Sequence, residues 1–315
     1  MKRCCSELVS VIIPTYKRSD TLKRAIDSVC KQTYTNIEII VVDDNALFPE
    51  IRENNRVLLS NYSNAILVEN EVNLGGGLSR NAGIERSNGD FIAFLDDDDE
   101  YCPTKIEKQY KLFKELNNPN VAMIYCYANM VRVNGSFYTY AKDYEGNQLL
   151  TNVKNCIAPT SFWFCPKEKL LSVNGFDNIS SRQDASLLLK FFLSGYEVYR
   201  VPEILLNYYW HDSAHGISKN NLQTAAAERQ YRELYISNSR NVNPEVHHQI
   251  LYSFSYRLAQ IHILNGDRVE AHKELKIMKK YHSFSREILR VFFGIYLNKT
   301  YRYVSFLKNY NKVGK

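Results

Sequence analysis

A chain of 315 residues that is 45% apolar and 23% charged has side chains enough for a large core, which excludes a disordered polyelectrolyte. Its length suits one α/β domain with a smaller appendage. The net charge of +6 is local: residues 276–315 carry ten Lys or Arg against Glu287 alone, leaving thirty basic and thirty-three acidic residues before them.

Val9–Ile13 is a short β-branched run ended by Pro14. A helical stripe follows in Leu22, Ile26, Val29 and Cys30, with Ser19 or Asp20 as its cap. Ile37–Val42 is apolar but for Glu38, as expected of a strand covered on both faces, and ends at Asp43 and Asp44. Ile66–Glu69 reads as a third strand, and Leu78–Arg86 as a helix entered from Gly75–Gly77. Phe91–Leu95 reads as a fourth strand that runs into Asp96–Asp99. Alternation of this kind predicts a mostly parallel, Rossmann-like sheet with helices on both faces, whose ligands sit at the carboxyl ends of the strands. Pro14–Tyr16, Asp43–Asp44 and Asp96–Asp99 all fall at such ends.

Beyond Pro103 the pattern becomes mixed. A helix is expected to Asn117, then a strand over Val121–Tyr127 and a hairpin whose strands, Met130–Val133 and Phe137–Tyr140, flank Asn134-Gly135. Phe162–Cys165 reads as a short strand and Leu187–Leu193 as part of a helix. From about Lys219 the chain reads as helices only, with a turn at Gly266-Asp267. The expected division is a domain over 1–218 and a helical extension over 219–315.

The seven cysteines are odd in number, lack C-x-x-C spacing and sit partly in apolar runs, which suggests reduced thiols in a cytoplasmic protein. Val9–Ile13 is too short for a signal-peptide core, and no stretch reaches the roughly 20 apolar residues of a spanning helix. The tail over 284–315 interleaves basic and aromatic residues. Such a helix can lie at the inner face of a membrane, pack on the domain or join two copies, and it carries no nucleic-acid motif.

Four adjacent carboxylates, Asp96–Asp99, repel one another unless a cation or donor groups compensate, and hard oxygen ligands of this kind suit Mg²⁺ or Mn²⁺. A solvated acidic turn is the alternative. Gly75–Gly77 is neither a dinucleotide nor a P-loop fingerprint. The glycines are expected to let a tight loop approach a ligand or a neighbouring strand.

Taken together, Val9-Ser-Val-Ile-Ile-Pro-Thr-Tyr-Lys-Arg18, Val41-Val-Asp-Asp44, Asn73 to Gly83, Phe94-Leu-Asp-Asp-Asp-Asp99, Asn174-Gly-Phe-Asp177 and Gln183-Asp184 resemble, in order and spacing, the family 2 glycosyltransferases. The resemblance covers roughly residues 8–218. It implies a GT-A fold and metal-dependent, inverting transfer from a nucleotide-diphosphate sugar, with UDP favoured, to a saccharide or lipid-linked acceptor in bacterial surface-polysaccharide synthesis. It implies that Pro14, Thr15 and Tyr16 line the nucleobase pocket, that Asp44 accepts a hydrogen bond from the base, and that Arg18 and Arg80 meet the donor. It further implies that Asp96 or Asp97 contacts the ribose, that Asp98 and His211 serve the metal, and that Asp184 is the general base. Two positions depart from the pattern: Gln183 stands where Glu is usual, and Ser79 where Ala is common. A nucleotidyltransferase would open with a glycine-rich loop that Pro14–Arg18 lacks. A non-catalytic sugar-nucleotide-binding protein would not need Asp96, Asp98 and Asp184 together.

Overall fold

The computed structural model describes residues 7–132, 134–210 and 221–296. Among these residues nine strands form one sheet in the order β3-β2-β1-β4-β8-β6-β9-β5, with β7 paired to β6. β1 (Val9–Thr15), β2 (Ile37–Asp43), β3 (Ala65–Glu69) and β4 (Phe91–Phe94) are mutually parallel. The expected apolar run in β2 is buried on both faces, from Ile39 to Val42. Helices α1 (Ser19–Cys30), α2 (Pro49–Leu59), α3 (Gly75–Arg86) and α4 (Lys105–Leu116) occupy the connections, with β5 (Glu100–Tyr101) after the acidic loop. The parallel register pairs Thr15 with Asp43 and Ile12 with Phe94, so the three polar strand ends lie on one edge.

The second half of the sheet is mixed. β6 (Val121–Arg132) and β7 (Phe137–Tyr140) form the expected hairpin, with Gly135 at φ +78. After α5 (Leu149–Lys154), the Phe162–Cys165 segment divides into a 3₁₀ turn at Thr160–Phe162 and a three-residue β8 (Phe164–Pro166), antiparallel to β4. α6 (Lys167–Ser172) and α7 (Gln183–Leu193) precede β9 (Glu197–Trp210), which runs parallel to β6.

Three features differ from the sequence reading. Helix α2 carries few core residues, only Asn55 and Leu59 being buried, so it shows almost no apolar stripe. Strand β9 is interrupted by Pro202. Its partner register jumps there from Val201–Cys126 to Ile204–Tyr127, so the proline sits in a bulge, where its missing N–H costs no ladder bond. Cys30, expected on the buried face of α1, is exposed at its last turn.

The chain separates into two compact units. The first comprises residues 1–149, 156–178 and 183–213, and the second comprises 150–155, 179–182 and 214–315. Within the second, α8 (Asn221–Asn238), α9 (Pro244–Asn265), α10 (Arg268–Tyr281) and α11 (Arg286–Tyr296) follow one another. Asn243 caps α9, Gly266 ends it at φ +78, and Asp267 caps α10 through the Glu270 N–H at 3.0 Å. Ala259, Ile263, Leu275, Met278, Ile288 and Val291 form the core of this unit. Among the described residues no helix is long and apolar enough to cross a membrane.

Candidate active site

The acidic loop after β4 is held from several sides. Thr15 donates its hydroxyl to Asp97 Oδ2 at 2.8 Å, and the Tyr16 N–H donates to the same oxygen at 3.4 Å. Arg18 Nη1 reaches Asp97 Oδ1 at 3.2 Å and also pairs with Asp98 Oδ2. Arg24 donates to the Asp98 carbonyl at 2.5 Å while lying over the Tyr209 ring. The Asp99 N–H closes a turn onto the Asp96 carbonyl, and Asp99 Oδ1 accepts the Tyr209 N–H at 3.0 Å.

Carboxylate oxygens of Asp96, Asp98 and Asp99 lie within 4.8 Å of one another. Asp97 and Asp99 are 4% and 1% exposed. Burial, then the charge of Asp98, pushes the Asp97 carboxyl up to about 7. Burial, then Asp96 and Asp98, pushes Asp99 well above the usual carboxylate range. Among the described residues, Asp99 Oδ2 is buried without a hydrogen-bond partner. A cluster that favours protons so strongly has more negative charge than its neighbours neutralise. Its oxygen donors, one of them unused, fit a hard divalent cation. The sequence reading assigned the metal to Asp98 and His211. Asp99 joins the set here, and His211 lies outside the described residues.

Arg80, on α3, is almost fully buried. Its Nη2 meets Asp96 Oδ1 at 2.5 Å and its Nη1 meets Gln183 Oε1 at 3.3 Å. It therefore braces the acidic loop against the start of α7, where Asp184 sits. The glycines before Arg80 permit this approach to Gln183: a Cβ at Gly77 would lie 3.2 Å from Gln183 Cδ and 3.3 Å from the Asp177 carbonyl. Asn81 clamps the same region, its amide exchanging two 2.8 Å hydrogen bonds with the main chain of Phe176.

Asp184 is half-buried in the first turn of α7, where the helix dipole favours an anion. Its Oδ1 accepts the Ala185 N–H at 2.7 Å, and its Oδ2 lies 3.4 Å from Cys156 Sγ. Tyr208, half-buried and packed against Phe162, has its phenol pushed upward by burial, then by Asp99, Asp96 and Asp98, and by Cys156.

Asp44 is buried, and both its oxygens accept internal bonds at 2.8 Å: Oδ1 from Asn70 Nδ2 and the Leu74 N–H, Oδ2 from the Gly75 N–H. It fastens the loop that leads into α3. Pro14 is half-buried in β1. Tyr16, beyond it, is 40% exposed and packs edge-on against Phe48 with centroids 5.9 Å apart. Lys17 lies over both rings, 4.2 Å from that of Phe48. Phe48, Lys17, Asn81 and Cys156 were missed as site residues, because each is ordinary in its local sequence and gains meaning only from neighbours distant in the chain; Asp99 was read only as part of the acidic run.

The family model described as "Glycosyl transferase family 2" matches residues 10–171. An uncharacterised glycosyltransferase of Haemophilus influenzae is 30% identical over 291 residues, which cover 90% of this chain and 94% of that protein. The Escherichia coli protein WfgD, named as a UDP-Glc:alpha-D-GlcNAc-diphosphoundecaprenol beta-1,3-glucosyltransferase, is 32% identical over 59% of this chain and 78% of its own. Among solved structures, the mannosyltransferase PcManGT of Pyrobaculum calidifontis, crystallised with GDP-Man and Mn²⁺, shares the fold. Its TM-score is 0.59 and its identity 19%, over 98% of this chain and 86% of that one.

Proposed function

The chain belongs to the family 2 glycosyltransferases, and from that premise we propose that it moves a sugar from a nucleotide-diphosphate donor, a UDP-sugar by preference, onto a hydroxyl of a saccharide or lipid-linked saccharide. The observation that carries this reading is the Arg80 brace, which joins the Asp96, Asp98 and Asp99 cluster to the turn bearing Asp184. The activity in WfgD's name, from a UDP-sugar to a diphosphoundecaprenol-linked sugar, supports the choice of donor and acceptor class.

In this reading Asp98 and Asp99, with Asp96 beside them and His211 as a further candidate, would hold Mn²⁺ or Mg²⁺, which would supply Lewis-acid neutralisation of the leaving diphosphate. Tyr16, with Pro14 beside it and with Phe48 and Lys17, offers an aromatic face with a cation for the nucleobase. Asp44, which fixes the loop into α3, accepts a hydrogen bond from the base. Asp96 or Asp97 contacts the ribose, and Asp97 also holds Thr15, Tyr16 and Arg18 in place. Asp184 takes the proton of the acceptor hydroxyl as that oxygen attacks the anomeric carbon on the face opposite the leaving group. One displacement inverts the centre, and no enzyme nucleophile is required.

The test is release of nucleoside diphosphate from a panel of nucleotide sugars. Release dependent on Mn²⁺ or Mg²⁺ and abolished by chelator is expected; undiminished release in chelator would remove the metal role, and no release from any donor would remove the reading.

We also propose contact with an anionic membrane through residues 284–315. Phe284, Phe292, Phe293 and Tyr296 are exposed while Ile288, Val291 and Ile295 face the core of the helical unit, and the basic tail follows. Liposome sedimentation of the Phe292→Ser, Phe293→Ser double variant should fall well below that of the parent; equal sedimentation would dismiss the contact.

A further inference from the structure

Helix α9 has no exposed residue between Ile250 and Ile263, yet one of its faces is polar. Gln249, Ser253, Tyr256 and Gln260 recur at i, i+4, i+7 and i+11, and all four are half-buried. They line a cleft of about 520 Å³ built within the helical unit. Tyr252 and His282 extend its wall, with ring centroids 4.9 Å apart and edge to face. Both tyrosines are held in place: the Tyr252 hydroxyl lies 2.5 Å from Ser285 Oγ, and Gln260 Nε2 donates to the Tyr256 hydroxyl at 3.1 Å.

The charges at the cleft nearly cancel. Arg257 is committed to Glu228 at 3.2 Å and to the main-chain oxygens of Val153 and Lys154. Lys154 and Glu287 offset one another on the lining. Such a wall repels neither sign and concentrates neither, which disfavours a polyanion. Fixed phenol rings beside primary amides suit a ligand with flat C–H faces and vicinal hydroxyls.

We propose that this cleft binds a neutral saccharide segment of the acceptor, at a site that shares no residue with the aspartate cluster. The proposal rests on the glycosyltransferase reading above. It gives the helical unit a role in retaining a substrate chain, independent of the metal and of Asp184.

The experiment is saturation-transfer NMR on the full chain with diamagnetic Mg²⁺ and saturating UDP, using cellotetraose, laminaritetraose and chitotetraose as probes. Transfer to ring protons of at least one tetrasaccharide is expected despite UDP. Binding should weaken about tenfold in Tyr256→Ala, the scale of one aromatic contact. Gln260→Leu, which removes an amide and no ring, should weaken it as well and covers the case in which Tyr256→Ala fails to fold. Absence of transfer from all three, in a preparation that still releases nucleoside diphosphate, overturns the cleft and leaves the enzyme reading intact. Transfer unchanged by either substitution, with or without UDP, places the sugar outside this cleft and overturns the proposal too. Loss of donor turnover together with saccharide binding in the parent protein brings down both readings.

Discussion

Arg80 Nη1 lies 3.3 Å from Gln183 Oε1, although 103 residues separate them, and the other guanidinium nitrogen holds Asp96 at 2.5 Å. A planar fork can serve both partners at once; a lysine ammonium on a flexible stem cannot. Arg80→Lys keeps the charge and loses the span. A buried charged hydrogen bond left unmade costs about 1–3 kcal/mol. A lowered Tm and at least a tenfold fall in turnover are therefore expected, measured by thermal denaturation and nucleoside diphosphate release. Parent-like values for both would mean that charge alone suffices.

Asp184→Asn retains an oxygen for the Ala185 N–H, now bonded at 2.7 Å, so α7 should keep its start. What it loses is basicity. Transfer should drop by about 10²–10⁴-fold while donor affinity and Tm hold. Calorimetric titration with UDP and Mn²⁺ alongside an activity assay separates the two effects, and turnover near that of the parent would remove Asp184 as base.

Asn81 gives both ends of its amide to the main chain of Phe176, at 2.8 Å each. Alanine there leaves a main-chain N–H and carbonyl without partners. Gly175, at φ +57, lies so close that an added Cβ would fall 2.4 Å from Asn81 Oδ1. Asn81→Ala should cost on the order of 2 kcal/mol in urea denaturation. Activity should fall with it, because the clamped segment leads through Asp177 to α7. An unchanged denaturation midpoint would show that the clamp carries no load.

The parallel half of the fold was legible because its signals are local. β1, β2 and β4 are apolar runs broken only at Ser10 and Glu38, each ended by proline or aspartate, and such runs need two covered faces. Strand β9 was not, because Pro202 argues against a strand until the bulge that accommodates it is seen. The aspartates were legible as a cluster, but which of them share a cation position was not. That depends on the turn closed by the Asp99 N–H onto the Asp96 carbonyl, which turns Asp97 towards Thr15 and leaves Asp96, Asp98 and Asp99 together. The reach of Arg80 to Gln183 was not legible either, since nothing in its own segment announces that partner.

Cys156 is exposed and its sulfur lies 3.4 Å from Asp184 Oδ2, whereas Cys126 and Cys165 are buried. Burial pushes the Cys126 thiol up to about 12, and the Cys165 thiol is raised by the same cause. Thiolates are the reactive form, so iodoacetamide should modify Cys156 well ahead of those two. The added bulk beside Asp184 should remove transfer in step with modification, as followed by peptide mapping. Cys156→Ala should stay active and resist the reagent; equal sensitivity of that variant would assign the loss to another thiol.

Lys105 is fully buried, donates to Gln109 Oε1 at 2.9 Å and sits 4.0 Å from the Tyr101 ring centroid. Burial lowers its ammonium to about 8 from 10.5. Below pH 8 the folded and unfolded chains both carry the proton, and the folded chain bears the whole desolvation cost. Between pH 8 and 10.5 only the unfolded chain retains it, so this residue's contribution to stability rises with pH. Lys105→Met removes the titration and also leaves Gln109 Oε1 short of a donor, a cost that does not vary with pH. The difference in unfolding free energy between variant and parent should therefore move in the parent's favour by on the order of 2–3 kcal/mol between pH 7.5 and 10. Urea denaturation of both proteins at the two pH values measures it, and a difference that stays constant would mean that the Lys105 ammonium is not desolvated.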